Sequence, residues 1–418
     1  MSQAGSLFVG LQCSVCGTMY PPDFVGGKTC VDNGHLEARY DMSAARRRLG
    51  ETRTSKETSL WRYAPLLPVR DPSTAISLGE GWTPLIRAER APAYLECPAL
   101  YVKDEGRNPT GTFKDRGASV ALTRYRELGI ATVILNSSGN AGAAWSLYGA
   151  RAGIECILIL PRDAAQACLV QCALAGQRHY VCDSWHEAGR LASDLAEING
   201  WVDVGTLKEP YRLEGKKTMG YEIAEQLGWS LPDAVFYPVG GGTGALAIWK
   251  AFDELCELGW VDRRPTRLFV SQYEGCAPIV KAFDEGARVC SPWGDIDVPP
   301  GGLKSPNPPG GTQVLDLLRT TRGAAIGVSS REAQSACEVL ARKEGLFVCL
   351  EAATTFAALR KALDRGLVSP SERIVLVATG SGLKSVPSMS VTDPPRISDP
   401  KDVNRSSFSN RRPGSRCV

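Results

Sequence analysis

Short apolar runs alternate with longer amphipathic stretches over most of the chain beyond residue 130. The runs 131–135, 156–160, 179–182, 201–204, 234–239, 267–272, 324–328, 346–350 and 373–379 predict strands. The stretches 141–152, 164–175, 185–199, 213–227, 245–258, 276–284, 329–344 and 352–363 predict helices between them. Strands this apolar need cover on both faces, and helices of ten or more residues supply it. The pattern therefore predicts an α/β protein built on open parallel sheets. Ser329 and Glu332 stand in capping-box spacing, which marks one helix start sharply. A proline- and glycine-rich stretch, 291–311, interrupts the alternation and reads as a long loop of functional type.

The two ends do not follow this pattern. Near the start, Cys13-Ser14-Val15-Cys16-Gly17 is one knuckle of a zinc ribbon, in which the glycine permits a tight turn between two sulfurs. The second half, Cys30-Val31-Asp32-Asn33, carries Asn33 where a fourth cysteine belongs. Two readings stand: a Cys3His zinc site of Cys13, Cys16, Cys30 and His35, or a metal-free remnant of such a ribbon. The stretch 42–57 is charged and helical in pattern, and 60–67 is apolar up to Pro68. Beyond about residue 385 the chain is rich in Pro, Ser, Asn and Arg, a composition expected to be disordered.

At 418 residues the chain is expected to hold two domains and a small accessory module. Its net charge is +3, and residues 392–418 carry six Lys/Arg against three Asp, so the body is near neutral. A near-neutral body argues against nucleic acid and for a small-molecule partner. No run approaches the roughly 18 apolar residues of a membrane span, and no secretory signal is evident at the start. The 14 cysteines stand mostly alone in apolar contexts, as core residues of a reduced, cytoplasmic protein do.

Four predicted loops carry candidate chemistry. In Asn108-Pro109-Thr110-Gly111-Thr112-Phe113-Lys114, a sharp turn presents Lys114 at the start of a helix. A lysine aimed into a cleft loses charge easily, and the neutral amine forms a Schiff base. Ser137, Ser138 and Gly139 sit between a strand and a helix, where hydroxyls and free N–H groups can seat a carboxylate. Gly240-Gly241-Gly242-Thr243-Gly244 offers successive N–H donors to a phosphate but lacks the lysine of a nucleotide-binding loop. Thr379, after the last strand, places a hydroxyl where a ring nitrogen could bond to it. Taken singly, each is an ordinary cap, turn or solvated lysine. Together they are the parts needed to bind pyridoxal phosphate (PLP) and an amino acid.

These four segments, with Glu214-Gly215-Lys216-Lys217-Thr218 and Glu274-Gly275-Cys276-Ala277-Pro278, resemble the signatures of the threonine synthase family, over about residues 79–384. The resemblance implies a fold-type II, tryptophan-synthase-β-like PLP enzyme. Two parallel-sheet domains would flank a cofactor cleft: a large domain of 46–123 and 208–388, and a small mobile domain of 124–207. Residues 1–45 would form the ribbon and 389–418 the tail. By the same resemblance Lys114 binds the cofactor, Phe113 flanks its ring and Asn140 bonds its 3′-oxygen. Gly240, Gly241, Gly242, Thr243 and Gly244 would hold its phosphate and Thr379 its ring nitrogen. Arg116 and Lys216, with Lys103 and Lys217, are candidates for the substrate phosphate. The implied reaction is O-phosphohomoserine plus water to threonine and phosphate, in a cytoplasmic homodimer. The alternative is β-replacement or β-elimination on phosphoserine or a related amino acid. Loops that differ from the family pattern include Gly301-Gly302-Leu303-Lys304-Ser305-Pro306 and Leu350-Glu351-Ala352-Ala353.

Overall fold

The alternating pattern folds into two separate sheets, and the loops of interest lie at the strand ends. In the computed structural model, residues 6–25, 34–49, 55–91 and 95–391 are described. Three antiparallel strands come first: β1 (Phe8–Cys13), β2 (Met19–Tyr20) and β3 (Leu36–Tyr40), in the order β2-β1-β3, followed by helix α1 (Met42–Leu49). Strand β4 (Leu85–Arg87), β5 (Leu100–Asp104) and helix α2 (Lys114–Glu127) lead into the body. Next come β6 (Thr132–Asn136), α3 (Asn140–Ala152), β7 (Glu155–Pro161), α4 (Gln166–Leu174), β8 (His179–Cys182), α5 (Trp185–Asn199) and β9 (Val202–Asp203). The rest is α6 (Tyr211–Gln226), β10 (Ala234–Pro238), α7 (Thr243–Leu258), β11 (Arg267–Tyr273), α8 (Pro278–Asp284), α9 (Gly311–Thr321), β12 (Ala324–Val328), α10 (Ser330–Glu344), α11 (Leu350–Asp364) and β13 (Ile374–Ala378).

One sheet has six strands in the order β12-β11-β10-β13-β5-β4, parallel except for the edge strand β4. The other has four parallel strands, β8-β7-β6-β9, all within residues 132–203. Both belong to one compact unit, Met1–Ser388. The central strands β10 and β13 are buried at every residue, with Phe236 stacked on Phe269 across the β10–β11 pair. The 1.9 Å to which a Cβ on Gly215 would approach the Arg116 carbonyl oxygen explains that glycine: α6 crosses α2 backbone to backbone.

Three expectations need correction. Residues 346–350 form no strand; Val348 makes an isolated bridge to Ser381, and Cys349 already precedes α11. The expected helix over 42–57 ends at Leu49 among the described residues. Helix α9 directly follows the proline-rich loop and was not foreseen, because its start, Gly310-Gly311, carries no capping side chain. The expected disordered tail lies almost wholly outside the described residues.

Buried ion pairs fasten the N-terminal sheet to the body. Tyr40 donates to Glu214 at 2.7 Å, and Lys250 donates to Glu214 and to the Ala38 carbonyl, each at 2.6 Å. Lys217 completes the cluster on Glu214 at 2.7 Å. His35, a candidate zinc ligand, places Nδ1 3.0 Å from Ser14 Oγ and Nε2 3.1 Å from Glu37. Cys13 is buried and Cys16 exposed, while Cys30 and Asn33 lie outside the described residues. Among the described residues no group of three His, Cys, Asp or Glu side chains is placed to hold a metal. No helix among them is long and apolar enough to cross a membrane.

Candidate active site

Three of the four loops leave the C-terminal ends of adjacent strands, β10, β13 and β5, and the fourth leaves β6 in the second sheet. Strand ends of open parallel sheets are where ligands bind, because helix N-termini and free N–H groups converge there. The Lys114 turn is tied directly to the Thr379 loop. Phe113 N–H donates to the Thr379 carbonyl at 3.1 Å, and Ser381 N–H to the Gly111 carbonyl at 2.9 Å. Gly111 takes φ +83°, which a side chain would strain. The bent backbone therefore leaves the Lys114 side chain open to the cleft.

Phe113, Lys114, Asn140, Gly240 to Gly244 and Thr379 line a single cavity, joined by Tyr237, Gly302, Cys349 and Glu351. All the residues expected to touch the cofactor are thus brought together. Lys114 and Asn140 also line a second, larger opening with Ser137, Ser138, Lys208 and Lys304. The amine stands at the junction of the two. Its pKa falls from 10.5 to about 7: desolvation leads, the Arg212 cation adds to it and the Glu351 carboxylate opposes both. Lys114 Nζ lies 4.3 Å from the centre of the Phe113 ring, which meets Tyr237 edge to face.

The glycine loop is a cradle that side chains would fill. A Cβ on Gly240 would lie 2.3 Å from the Gly302 carbonyl oxygen, and one on Gly244 would lie 1.8 Å from the Tyr237 hydroxyl. Lys216 Nζ donates to Thr243 Oγ1 at 2.6 Å, which sets an amine against the loop. Its own pKa is driven well down, by burial first and then by the Lys114 and Arg212 cations. N–H donors backed by an amine that gains its charge beside an anion suit the phosphate of PLP. The neutralisable amine suits its aldehyde, and the hydroxyl of Thr379, in the same lining, suits a ring nitrogen. We expect Gly244→Ala to weaken PLP retention by at least about tenfold, since the methyl must displace either Tyr237 or the loop. Cofactor content after dialysis checks this; a variant that keeps its full complement would show the cradle to be looser than its geometry.

The second loop seats differently from the simplest expectation. Ser137 Oγ accepts the N–H groups of Gly139 at 3.0 Å and Gly142 at 2.9 Å, so it acts as a cap for α3. The first-turn N–H groups of Asn140 and Ala141 have no partner within the helix and face the same loop. Ser138 remains beside them on the cleft wall.

Arg116 is not a cleft residue. Its guanidinium is fully buried and bonds both oxygens of Glu105, both oxygens of Glu222 and the hydroxyls of Thr83 and Thr218. Every donor is committed, so it cannot take the substrate phosphate. Lys103 bonds Glu222, and Lys217 bonds Glu214 and Glu254, which removes them for the same reason. Lys216 serves the glycine loop. The cations that do line the larger opening are Arg190, Lys208 and Lys304, with His186. Each pairs with a carboxylate, Asp194, Asp203 and Asp163 respectively, but unlike Arg116 none is fully buried, so each can exchange that partner for an incoming anion. Sequence reasoning missed these, together with Tyr237, Arg212 and Glu351. The signals were the loop 291–311, which contains Lys304, and the segment Leu350-Glu351-Ala352-Ala353, both of which differ from the family pattern. Glu351 holds that loop in place by accepting the Gly302 N–H at 2.9 Å.

The fold and the cleft define a PLP-dependent enzyme, and the family described as pyridoxal-phosphate dependent enzyme matches residues 76–380. The threonine synthase of Methanocaldococcus jannaschii is 38% identical over 376 residues, which cover 89% of this chain and 92% of that protein. That of Methanosarcina acetivorans is 37% identical over 377 residues, covering 90% and 92%. Among solved structures, diaminopropionate ammonia lyase from Escherichia coli matches in fold with a TM-score of 0.62 at 18% identity, over 75% of this chain and 87% of that one. The chain belongs to the threonine synthase family of PLP-dependent lyases.

Proposed function

We propose that the protein converts O-phosphohomoserine and water to threonine and phosphate. The observation that carries this is the position of Lys114, a desolvated amine between a phosphate cradle and an opening lined by cations. Lys114, Phe113, Asn140, Gly240 to Gly244 and Thr379 hold PLP, with Lys216 behind the cradle. When bound, PLP supplies an electron sink for charge that develops on the substrate's carbon chain. The substrate carboxylate takes the N–H groups of Asn140 and Ala141 with Ser138. Its phosphate takes Lys208, Arg190 and Lys304.

Lys114 then works as the proton carrier. Its amine, with a substantial unprotonated fraction near pH 7, accepts a proton from the substrate and remains beside the reacting carbons to return one. Loss of phosphate from the γ-carbon and addition of water at the β-carbon complete the balance. Residues 124–207 act as a small domain closing on the substrate, and the Lys304–Asp163 ion pair spans the mouth between that segment and the 291–311 loop. The proposed working form is a cytoplasmic homodimer. The ten described cysteines from Cys97 to Cys349 are free thiols, which suits a reducing compartment.

The test is a substrate screen of the purified holoenzyme. Phosphate and threonine are expected in equal amounts from O-phosphohomoserine, with little or no phosphate from O-phosphoserine. Phosphate from phosphoserine but not from phosphohomoserine would replace this reading with β-elimination or β-replacement on the shorter substrate.

A further inference from the structure

The Asn140 amide faces the cofactor cavity on one side and a thiol on the other. Cys168, in the first turn of α4, places Sγ 3.2 Å from Asn140 Oδ1. A carboxamide can present either its oxygen or its NH2 in a given direction, and only its bonding partners decide which. A thiol is a weak donor and a weaker acceptor, so the S–H selects the oxygen. The NH2 is then turned the other way, and it is the Nδ2 atom that lies toward Gly302 across the cleft, 3.9 Å from where a Cβ on that glycine would stand.

Three further observations make this contact rigid. Cys168 is completely buried. It packs on Gly139, where an added Cβ would lie 3.0 Å from Cys168 Cβ and 3.1 Å from Sγ. Gly139 has φ +136°, so the backbone immediately before Asn140 is bent to admit the thiol. Burial, the leading cause, raises the thiol pKa to about 11 despite the nearby Lys384 cation, so the donor proton stays in place at neutral pH.

We infer that Cys168 is a positioning residue, whose S–H···Oδ1 bond orients the Asn140 amide so that its NH2 donates to the cofactor's 3′-oxygen. The inference rests on the PLP assignment above and adds that a residue from α4, outside the cofactor cavity, sets the polarity of one of its contacts. Without the thiol the amide can rotate, and in half of its orientations an oxygen would face an oxygen.

The test uses holoenzyme of four variants: Cys168→Ala, Cys168→Val, Cys168→Ser and Asn140→Ala. The readouts are the pH midpoint of the bound cofactor's absorption change and the rate of cofactor loss on dilution. Cys168→Ala and the volume-retaining Cys168→Val are expected to move the midpoint in the same direction as Asn140→Ala, by about half a pH unit, and to speed cofactor loss about fivefold. Cys168→Ser keeps a donor and restores both toward the parent. If Asn140→Ala shifts the midpoint while Cys168→Ala and Cys168→Val titrate like the parent, the positioning role is wrong and the cofactor assignment stands. If Asn140→Ala also leaves the midpoint in place, the assignment of Asn140 fails and the role of Cys168 falls with it. A Cys168→Ser that behaves like Cys168→Ala would point to packing alone and overturn the inference.

Discussion

Lys114→Ala is expected to lower turnover by about 10³-fold or more and to remove the absorption of lysine-bound cofactor. Lys114→Arg should do the same, because a guanidinium keeps its proton and cannot act as a base. The wild-type rate has a signature that follows from the site. Desolvation, helped by Arg212 and opposed by Glu351, brings the amine to about 7. A group that must accept a proton has to be unprotonated first, so kcat rises with pH through about 7. A solvated lysine would place that rise above pH 10. Phosphate release measured across the neutral range checks both points. A Lys114→Ala enzyme with full turnover would overturn the assignment of the site.

Glu222→Gln should cost about 3–5 kcal/mol of folding stability, which makes it the largest structural effect expected here. Glu222 is fully buried and accepts Arg116 at 2.5 and 2.7 Å, Lys103 at 2.6 Å and the Trp82 N–H at 2.8 Å. An amide of the same shape leaves two buried cations short of a counter-charge. Burial pushes the Glu222 carboxyl up, but Arg116 and Lys103 outweigh it and bring the pKa from 4.5 to about 2. The sign follows from linkage: a carboxyl whose folded pKa is depressed contributes stability above its unfolded value. That contribution is complete above about pH 4.5 and is lost as the pH falls toward 2. Arg116 is two residues from Lys114 on the same helix turn, so the network also anchors the backbone that carries Lys114. Denaturant unfolding of the parent and Glu222→Gln at pH 7 measures the cost. A difference under about 1 kcal/mol would mean that the buried cations find other partners.

These two residues differ in how they could be found. Lys114 was legible because turn chemistry is local: Asn-Pro and Thr-Gly bend the backbone whatever surrounds them. The glycine loop, the Ser-Ser-Gly-Asn loop and Thr379 were legible for the same reason, each placed at a strand end by the period of the apolar residues. Arg116 was misread from that vantage. A lysine or arginine beside a catalytic motif suggests an anion, and nothing local says that Glu105 and Glu222, 11 and 106 residues away, enclose it. Tyr237 was overlooked, and Glu351 was quoted without a role, because one lies in a buried strand and the other in a buried helix, where polar groups carry no pattern of their own. Helix α9 was overlooked because its start lacks a capping side chain.

The amino-acid sequence by itself determined the α/β class, the parallel sheets and the four loops whose chemistry suits PLP, since hydrophobic period and turn chemistry act over a few residues. The tertiary structure alone decided which cations reach the cleft and which are consumed in buried networks. It also decided how far Lys114 is desolvated and which way the Asn140 amide faces. Those properties depend on charge, burial and hydrogen-bond partners contributed by segments far apart in the chain, which meet only once it has folded.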